Sequence, residues 1–219
     1  MLARRSKRET LARKDTAIVI DGFLRSGNTF SVAAFVVANG AEPHVARHLH
    51  GAPHLMRAAR LRLPAVLLIR RPADAVSSYL VRRPTLTPRD ALTEYLDFYE
   101  TAWRVRDAFV VATFDQVVTD FGAVLEAVNA RFGTAFAPYA ATAENEAAAF
   151  AIVEEMNRRE CGGRVVETHV GRPSAERERQ KRRIEELLAE PRTARMLSRA
   201  DALYSRYLEL GTGVPAERG

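Results

Sequence analysis

The stretch Ile18–Phe30, which reads IVIDGFLRSGNTF, combines an apolar strand, a loop bounded by two glycines and the start of a helix. A loop of this kind turns backbone N–H groups and the positive end of a helix towards an anion, which is how many proteins hold phosphate. Its glycine spacing, G-x4-G-x-T, is that of a P-loop, but Asn28 stands where the phosphate-binding lysine is expected. The nearest cation in the loop is Arg25. The stretch therefore predicts a site for a phosphate-like group rather than for Mg-ATP.

A second segment, Pro64–Tyr79, places an arginine at the end of an apolar strand. The run of apolar residues predicts a strand that is buried on both faces, as in a parallel sheet. Pro72 suits the first position of the following helix, and Asp74 suits its first turn. Arg70 then lies at the carboxyl end of a parallel strand, where α/β sheets bind ligands. The alternative is that Arg70 only caps the strand and pairs with nearby carboxylates.

Together, the two segments resemble the nucleotide-binding segments of sulfotransferases that use 3′-phosphoadenosine 5′-phosphosulfate (PAPS). Leu24–Phe30 is similar to the "PRSGNT" form of the family's 5′-phosphosulfate loop, with leucine in place of the usual proline. Ala65–Tyr79 resembles the 3′-phosphate segment, whose arginine and serine correspond to Arg70 and Ser78. The resemblance also implies a set of residues that hold the 5′-phosphosulfate: Arg25, Ser26, Gly27, Asn28 and Thr29.

Three further positions follow from the same resemblance, which spans roughly Ile18 to Pro138. Phe114 is similar in position to a family tyrosine that approaches the adenine, although phenylalanine lacks the hydroxyl. Phe30 is a second candidate for stacking on the nucleotide, and packing in the core is the alternative for both aromatic residues. Arg172 lies in a late glycine-containing loop that resembles the family's basic loop over the 3′-phosphate. A flexible connector is the alternative for that loop.

Four of the five histidines lie between the two nucleotide segments, at His44, His48, His50 and His54. Sulfuryl transfer to a hydroxyl or amine needs a base that removes the acceptor's proton. The resemblance implies a histidine ahead of a proline-containing turn, which makes His50 the predicted base. His48 is the alternative, because residues i and i+2 of an extended segment share one face. Two of the pairs also have an i, i+4 spacing typical of metal ligands. Because there is no HExxH pattern and the segment is extended, we predict no metal.

The composition suits one globular domain of 219 residues, with 47% hydrophobic and 27% charged residues. The formal net charge is +6, and six basic residues against two acidic ones lie within the first 16 positions. We predict a basic arm at 1–15, interpreted as a solvated leader with no nucleic-acid partner, and one domain at 16–213. The single cysteine, Cys161, and the absence of a membrane span or signal peptide in the sequence predict a cytoplasmic protein.

Strands and helices are predicted to alternate along the chain. The predicted strands are Thr16–Asp21, Glu42–His50, Pro64–Ile69 and Phe109–Thr113. The predicted helices are Thr29–Asn39, Ala52–Arg60, Pro72–Val81, one that starts at Thr87, Phe121–Phe132, Ala143–Arg159, Ser174–Ala189 and Arg192–Leu210. Crossover helices between strands predict a parallel sheet with helices on both faces. The expected fold is a three-layer α/β/α sandwich of the P-loop NTPase-like (sulfotransferase) type.

The resemblance thus implies a PAPS-dependent sulfotransferase that acts on a small-molecule or carbohydrate acceptor and leaves 3′,5′-ADP. Arg25 would also stabilise charge on the bridging oxygen. One alternative is a P-loop kinase for a small molecule, for which Asp115 is the sole candidate magnesium ligand after a strand. A second alternative is a non-catalytic protein that binds a nucleotide or polyanion. The sequence specifies neither the acceptor nor the oligomeric state.

Overall fold

The computed structural model describes residues 11–47, 49–160 and 175–211. The strands in these ranges are β1 (Ile18–Gly22), β2 (Val45–Arg47), β3 (Ala65–Ile69) and β4 (Val110–Thr113). The helices are α1 (Asn28–Asn39), α2 (Ala52–Leu61), α3 (Pro72–Arg82), α4 (Pro88–Ala102), α5 (Phe114–Thr119), α6 (Phe121–Phe132), α7 (Ala143–Glu160), α8 (Ala175–Leu188) and α9 (Pro191–Gly211), with a 3₁₀ segment at Trp103–Ala108.

The sheet is parallel throughout, with the strand order β2-β1-β3-β4. The two central strands, β1 and β3, are buried along their whole length. They pair with Ile20 opposite Val66. This burial explains the unbroken apolar runs in the sequence, because a parallel strand covered on both faces needs apolar side chains in both directions.

Helices cover both faces of the sheet. Val19 and Leu67 point into a core shared with α2, α3, α4 and α9. Ile20 and Val66, one position away in each strand, point into a second core shared with α1 and α6. Successive side chains of a strand alternate between faces, so each central strand contributes to both cores. The predicted three-layer α/β/α architecture with a parallel sheet is confirmed.

Helix boundaries follow the capping residues in the sequence. The Thr87 hydroxyl accepts a hydrogen bond from the Asp90 N–H, and the Asp90 carboxylate accepts one from the Thr87 N–H. Together with Pro88 at the first helical position, this capping box starts α4 as predicted. Gly133, with a φ of 67°, ends α6 in the left-handed conformation that glycine adopts at helix ends.

The structure differs from the sequence prediction after β4. Phe114 begins the short helix α5, which is not among the predicted helices. The cause is a second capping box, in which the Thr113 hydroxyl accepts from the Gln116 N–H and the Gln116 side chain accepts from the Thr113 N–H. This T-x-x-Q pattern is visible in the sequence and predicts the helix when it is taken into account.

The N-terminal region differs from a solvated arm at Ala12. Residues 1–10 of the predicted arm lie outside the described residues, as do His48, Cys161 and Arg172. Ala12, within the predicted arm, is fully buried and contacts α2 through its backbone. Among the helices of the described ranges, none is both long and apolar enough to cross a membrane.

The sheet has a switch point between β1 and β3. From β1 the chain continues to β2 on one side of the sheet, and from β3 it continues to β4 on the other side. Connections that diverge in this way leave a crevice at the carboxyl ends of the two central strands, which is where open α/β sheets bind ligands. The two segments singled out in the sequence follow these two strands.

Candidate functional site

The loop after β1 is bounded by two glycines, and each position requires glycine for a different structural reason. A Cβ atom on Gly22 would lie 2.3 Å from the Leu68 carbonyl oxygen, so only glycine allows β1 and β3 to approach at this point. Gly27 has a φ of 93° and precedes α1. Between them, Arg25 has a φ of 68°, which is costly for a residue with a side chain. The loop is therefore held in a conformation that its own sequence disfavours at Arg25.

The N-terminus of α1 presents backbone N–H donors at the end of the loop. The helix makes its first backbone hydrogen bond from the Ser31 N–H to the Gly27 carbonyl, at 3.0 Å. The N–H groups of Asn28, Thr29 and Phe30 have no partner within the described part of the chain, and the first turn contains no acidic residue. Unpaired N–H groups and the positive end of the helix dipole both favour an anion at this position.

Two predicted phosphate ligands, Asn28 and Ser26, turn their side chains inwards. The Asn28 amide donates to the Phe23 carbonyl at 3.0 Å, and its oxygen is buried without a partner among the described residues. The Ser26 side chain is fully buried, with its hydroxyl 3.4 Å from the Tyr99 hydroxyl. In this conformation both side chains pack the loop from inside, and the Ser26 N–H donates to the Phe23 carbonyl at 3.3 Å, so neither side chain is turned towards a ligand.

The two predicted phosphate segments meet in an arginine cluster, which we define as Arg25, Arg70, Ser78 and Phe114. Arg25 Nε donates to the Ser78 hydroxyl at 2.9 Å, and Arg70 Nη1 donates to the Arg25 carbonyl at 3.2 Å. The Arg70 guanidinium lies 4.0 Å from the centre of the Phe114 ring. The cluster thus joins residues that follow three different strands.

The environment of Arg70 combines burial with nearby carboxylates. Burial lowers the pKa of the Arg70 guanidinium, and the charges of Asp74 and Asp115 partly oppose this effect. The Tyr95 hydroxyl donates to the Arg70 carbonyl at 2.9 Å, which fixes the backbone at the end of β3. A cation that is desolvated in this way interacts strongly with an anion, because little water competes for it.

A histidine–aspartate cluster, which we define as Asp21, His50 and His54, lies on the other side of the loop. The buried Asp21 carboxylate accepts from the Gly22 N–H at 2.9 Å, the His50 N–H at 3.3 Å and His54 Nδ1 at 2.7 Å. His50 Nδ1 lies 3.0 Å from the Gly22 carbonyl oxygen. Because a carbonyl only accepts, this contact assigns the proton to Nδ1 and leaves Nε2 as the basic nitrogen of the neutral ring.

The other histidines have different surroundings. His44 Nδ1 is 2.9 Å from the Thr16 hydroxyl, at the amino end of β2 and therefore at the opposite edge of the sheet from His50. Both ring nitrogens of His54 are hydrogen bonded within the protein, to Asp21 and to the Ala12 N–H. No group of three or more histidine, cysteine or acidic residues within the described ranges has an arrangement that could hold a metal ion.

Phe30 packs against two other aromatic side chains. Its ring centre is 6.2 Å from that of Tyr139 and 5.7 Å from that of Phe150, which is 56% exposed. Burial raises the pKa of the Tyr139 hydroxyl, which has no hydrogen-bond partner among the described residues. These contacts account for Phe30 as a packing residue, and its stacking on a nucleotide stays a prediction.

Sequence reasoning did not identify Asp21 and His54 as residues of the site. A weak signal for Asp21 was present, because an aspartate near the end of the apolar stretch Ile18–Gly22 is an unusual residue for a fully buried strand. His54 was noted as one of four histidines, but its contact with Asp21 joins positions 33 residues apart and has no local signature.

Comparisons with known proteins give a distant structural likeness. The chain matches no protein-family model. No curated protein matches it either. Among solved structures, the chain is similar to mouse sulfotransferase SULT7A1 complexed with PAP, with 12% sequence identity, 92% of each chain covered and a TM-score of 0.42. A likeness this distant carries no inference about the chemistry of the chain, which has to come from its own residues.

Proposed function

We propose that this chain is a PAPS-dependent sulfotransferase. The observation that carries the proposal is the hydrogen bond between Arg25 Nε and the Ser78 hydroxyl. The resemblance in sequence assigns these two residues to two different phosphate groups of one nucleotide. Their contact brings the two segments into one crevice at the carboxyl ends of β1 and β3, where a doubly phosphorylated ligand could reach both.

The donor set fits such a ligand. Three backbone N–H groups at the start of α1, the guanidinium groups of Arg25 and Arg70, and the Ser78 hydroxyl are all hydrogen-bond donors. Anionic phosphate and sulfate oxygens are acceptors only, so donors and acceptors match. Arg25 and the N-terminus of α1 would hold the 5′-phosphosulfate, and Arg70 with Ser78 would hold the 3′-phosphate. Phe114, stacked on Arg70, would lie beside the nucleotide.

The position of Asn28 favours this ligand over a nucleoside triphosphate. In a P-loop kinase, a lysine at this position reaches the β- and γ-phosphates. Here the side chain is an amide that bonds the Phe23 carbonyl instead. The chain therefore lacks both the charge and the side-chain direction that a triphosphate needs at this point, and the kinase alternative gains no support.

His50 is proposed as the base that receives the acceptor's proton. When bound, PAPS supplies the sulfuryl group, which moves to the acceptor oxygen or nitrogen and leaves 3′,5′-ADP. The proton released from the acceptor goes to Nε2 of His50, because Nδ1 already donates to the Gly22 carbonyl. Arg25 balances negative charge as it develops on the leaving phosphate. No metal takes part in this assignment.

Ligand-induced stabilisation tests the proposal without an acceptor. We expect 3′,5′-ADP to raise the melting temperature without magnesium, and to bind at least about tenfold more tightly than 5′-AMP because a charge-assisted phosphate contact contributes roughly 1.5–3 kcal/mol. Equal affinity for the two nucleotides, or stabilisation by Mg-ATP alone, would contradict the proposal. The matched control is Arg199→Ala, which removes an arginine paired with Glu100 on the protein surface and should leave nucleotide affinity unchanged.

Turnover provides the second test. Radiolabelled PAPS should be incubated with panels of sugar, phenol and amine acceptors, and labelled product should form only when both protein and a suitable acceptor are present. Tight binding of 3′,5′-ADP together with no transfer to any acceptor class would instead support the non-catalytic nucleotide-binding alternative.

A further inference from the structure

The buried carboxylate of Asp21 has no role in the proposed function. Its side chain is 0% exposed, although it lies one residue from the phosphate-binding loop. A buried carboxylate is costly unless hydrogen bonds compensate it, and Asp21 accepts three of them, from Gly22, His50 and His54. Two of these three donors belong to histidines that lie beyond β2.

His54 orients the carboxylate and takes no part in proton transfer. Its Nε2 accepts a hydrogen bond from the Ala12 N–H at 3.2 Å, so this nitrogen has no proton of its own. The ring proton is then on Nδ1, 2.7 Å from Asp21 Oδ2. With both nitrogens engaged and almost no exposed surface, the neutral His54 ring serves as a donor that sets the orientation of Asp21.

Asp21 in turn contacts His50 at two points. Its Oδ1 accepts the His50 N–H, and this bond holds a residue whose φ of 47° is unfavourable for a side-chain-bearing residue. The same oxygen lies 3.7 Å from His50 Nδ1, which donates to the Gly22 carbonyl. The carboxylate therefore influences both the backbone of His50 and the protonated side of its ring.

We propose that Asp21 is a positioning residue for His50, held in place by His54. Together with the Gly22 carbonyl, Asp21 keeps the His50 ring in the tautomer with the proton on Nδ1, and it stabilises the positive ring that forms when Nε2 receives a proton. In that step the acceptor loses one proton and His50 gains it, while Asp21 and His54 keep their protonation states. The inference rests on the proposed function for the source of the proton. The arrangement of the three side chains is independent of the proposed function.

The wild-type protein tests the arrangement directly. Long-range ¹H–¹⁵N correlation spectra at neutral pH distinguish the two neutral tautomers of each histidine ring. We expect His50 and His54 both to carry their proton on Nδ1, with His50→Ala and His54→Asn used to assign the signals. A His50 ring protonated on Nε2 would overturn the proposal. This measurement needs neither nucleotide nor acceptor, so it stands even if 3′,5′-ADP fails to bind and the proposed function is wrong.

A double-mutant cycle tests whether Asp21 acts through His50. We expect Asp21→Asn to lower kcat at least about tenfold, to keep 3′,5′-ADP affinity within about threefold, and to have no further effect in a His50→Ala background. A purely structural role would lower kcat by the same factor in both backgrounds, and that result would overturn the proposal, as would wild-type kcat in Asp21→Asn. His44→Gln, a histidine change at the opposite edge of the sheet, is the control expected to keep wild-type kcat.

Discussion

The two clusters on either side of β1 are built from opposite charges. The arginine cluster, on the β3 side, places two guanidinium groups against neutral oxygens of Ser78 and the Arg25 backbone. The histidine–aspartate cluster, on the β2 side, surrounds one buried carboxylate with N–H donors. The first concentrates positive charge, which the nearby carboxylates of Asp74 and Asp115 offset only in part, and this suits an anionic ligand. In the second, both oxygens of the carboxylate accept hydrogen bonds from the protein, and this holds His50 in place. One loop, Gly22–Gly27, lies between the proposed phosphate site and the proposed base.

The largest effect should come from removing the imidazole from the histidine–aspartate cluster. We expect His50→Ala to lower kcat by about 10²–10⁴-fold, the usual contribution of a general base, while 3′,5′-ADP affinity stays at the wild-type level. Initial rates with labelled PAPS and calorimetric titration with 3′,5′-ADP measure the two quantities. A fully active variant would contradict the assignment of the base to His50. The candidates would then be His48 or a carboxylate such as Glu42.

Removing the loop arginine should affect binding and turnover together. Because Arg25 is assigned to the 5′-phosphosulfate, Arg25→Ala should weaken both 3′,5′-ADP and 5′-AMP by roughly 10- to 150-fold, which corresponds to about 1.5–3 kcal/mol. The loss in kcat/KM should be larger still, since charge develops at this position in the transition state. Unchanged affinity for 5′-AMP would remove Arg25 from the 5′-phosphate site.

The third variant distinguishes the roles of the two arginines in the arginine cluster. Arg70→Ala should abolish the preference for 3′,5′-ADP over 5′-AMP, expected to be about tenfold or more, and leave 5′-AMP binding nearly unchanged. Competition titrations of the two nucleotides give this ratio directly. If the variant keeps the wild-type preference, the assignment of Arg70 to the 3′-phosphate is wrong, although the anion site at α1 is unaffected.

The smallest effect concerns the strain in the loop. Arg25→Gly and Arg25→Ala both remove the guanidinium, but only glycine adopts a φ of 68° without a penalty. We expect the glycine variant to be more stable than the alanine variant by about 1 kcal/mol, measured by urea denaturation, with equally poor nucleotide binding. Equal stability of the two variants would show that the loop relaxes when the arginine is absent.

Local patterns predicted the framework of the site, and long-range contacts decided its details. The apolar runs predicted β1 and β3, and the residues that follow them predicted the loop and Arg70 at one edge of the sheet. These features could be predicted because each depends on residues close together in the sequence. The inward turn of Asn28 depends instead on how α1 sits against the Phe23 carbonyl. The contact between Ser26 and Tyr99 joins positions 73 residues apart. No spacing rule in a single sequence reports such contacts.

The same limit applies to the histidines. Their clustering in the sequence was evident, and a proline-containing turn distinguished His50 from its neighbours. What separates them physically is the partner of each ring: Thr16 for His44, the Gly22 carbonyl for His50, and Asp21 with Ala12 for His54. Partners from other parts of the fold assign the tautomers of His50 and His54, so the sequence could name the candidates but not their chemistry.

The burial of Ala12 determines where the chain can be shortened. Its N–H binds His54, and its carbonyl accepts a hydrogen bond from Arg57 Nε, so both backbone groups anchor this residue on α2. A truncation that removes residues 1–10 retains this anchor, whereas one that removes Ala12 takes away the donor that sets the His54 tautomer. Deletions from the basic N-terminus should therefore end before Leu11, because a deletion only two residues longer would remove the contacts of Ala12 with His54 and Arg57.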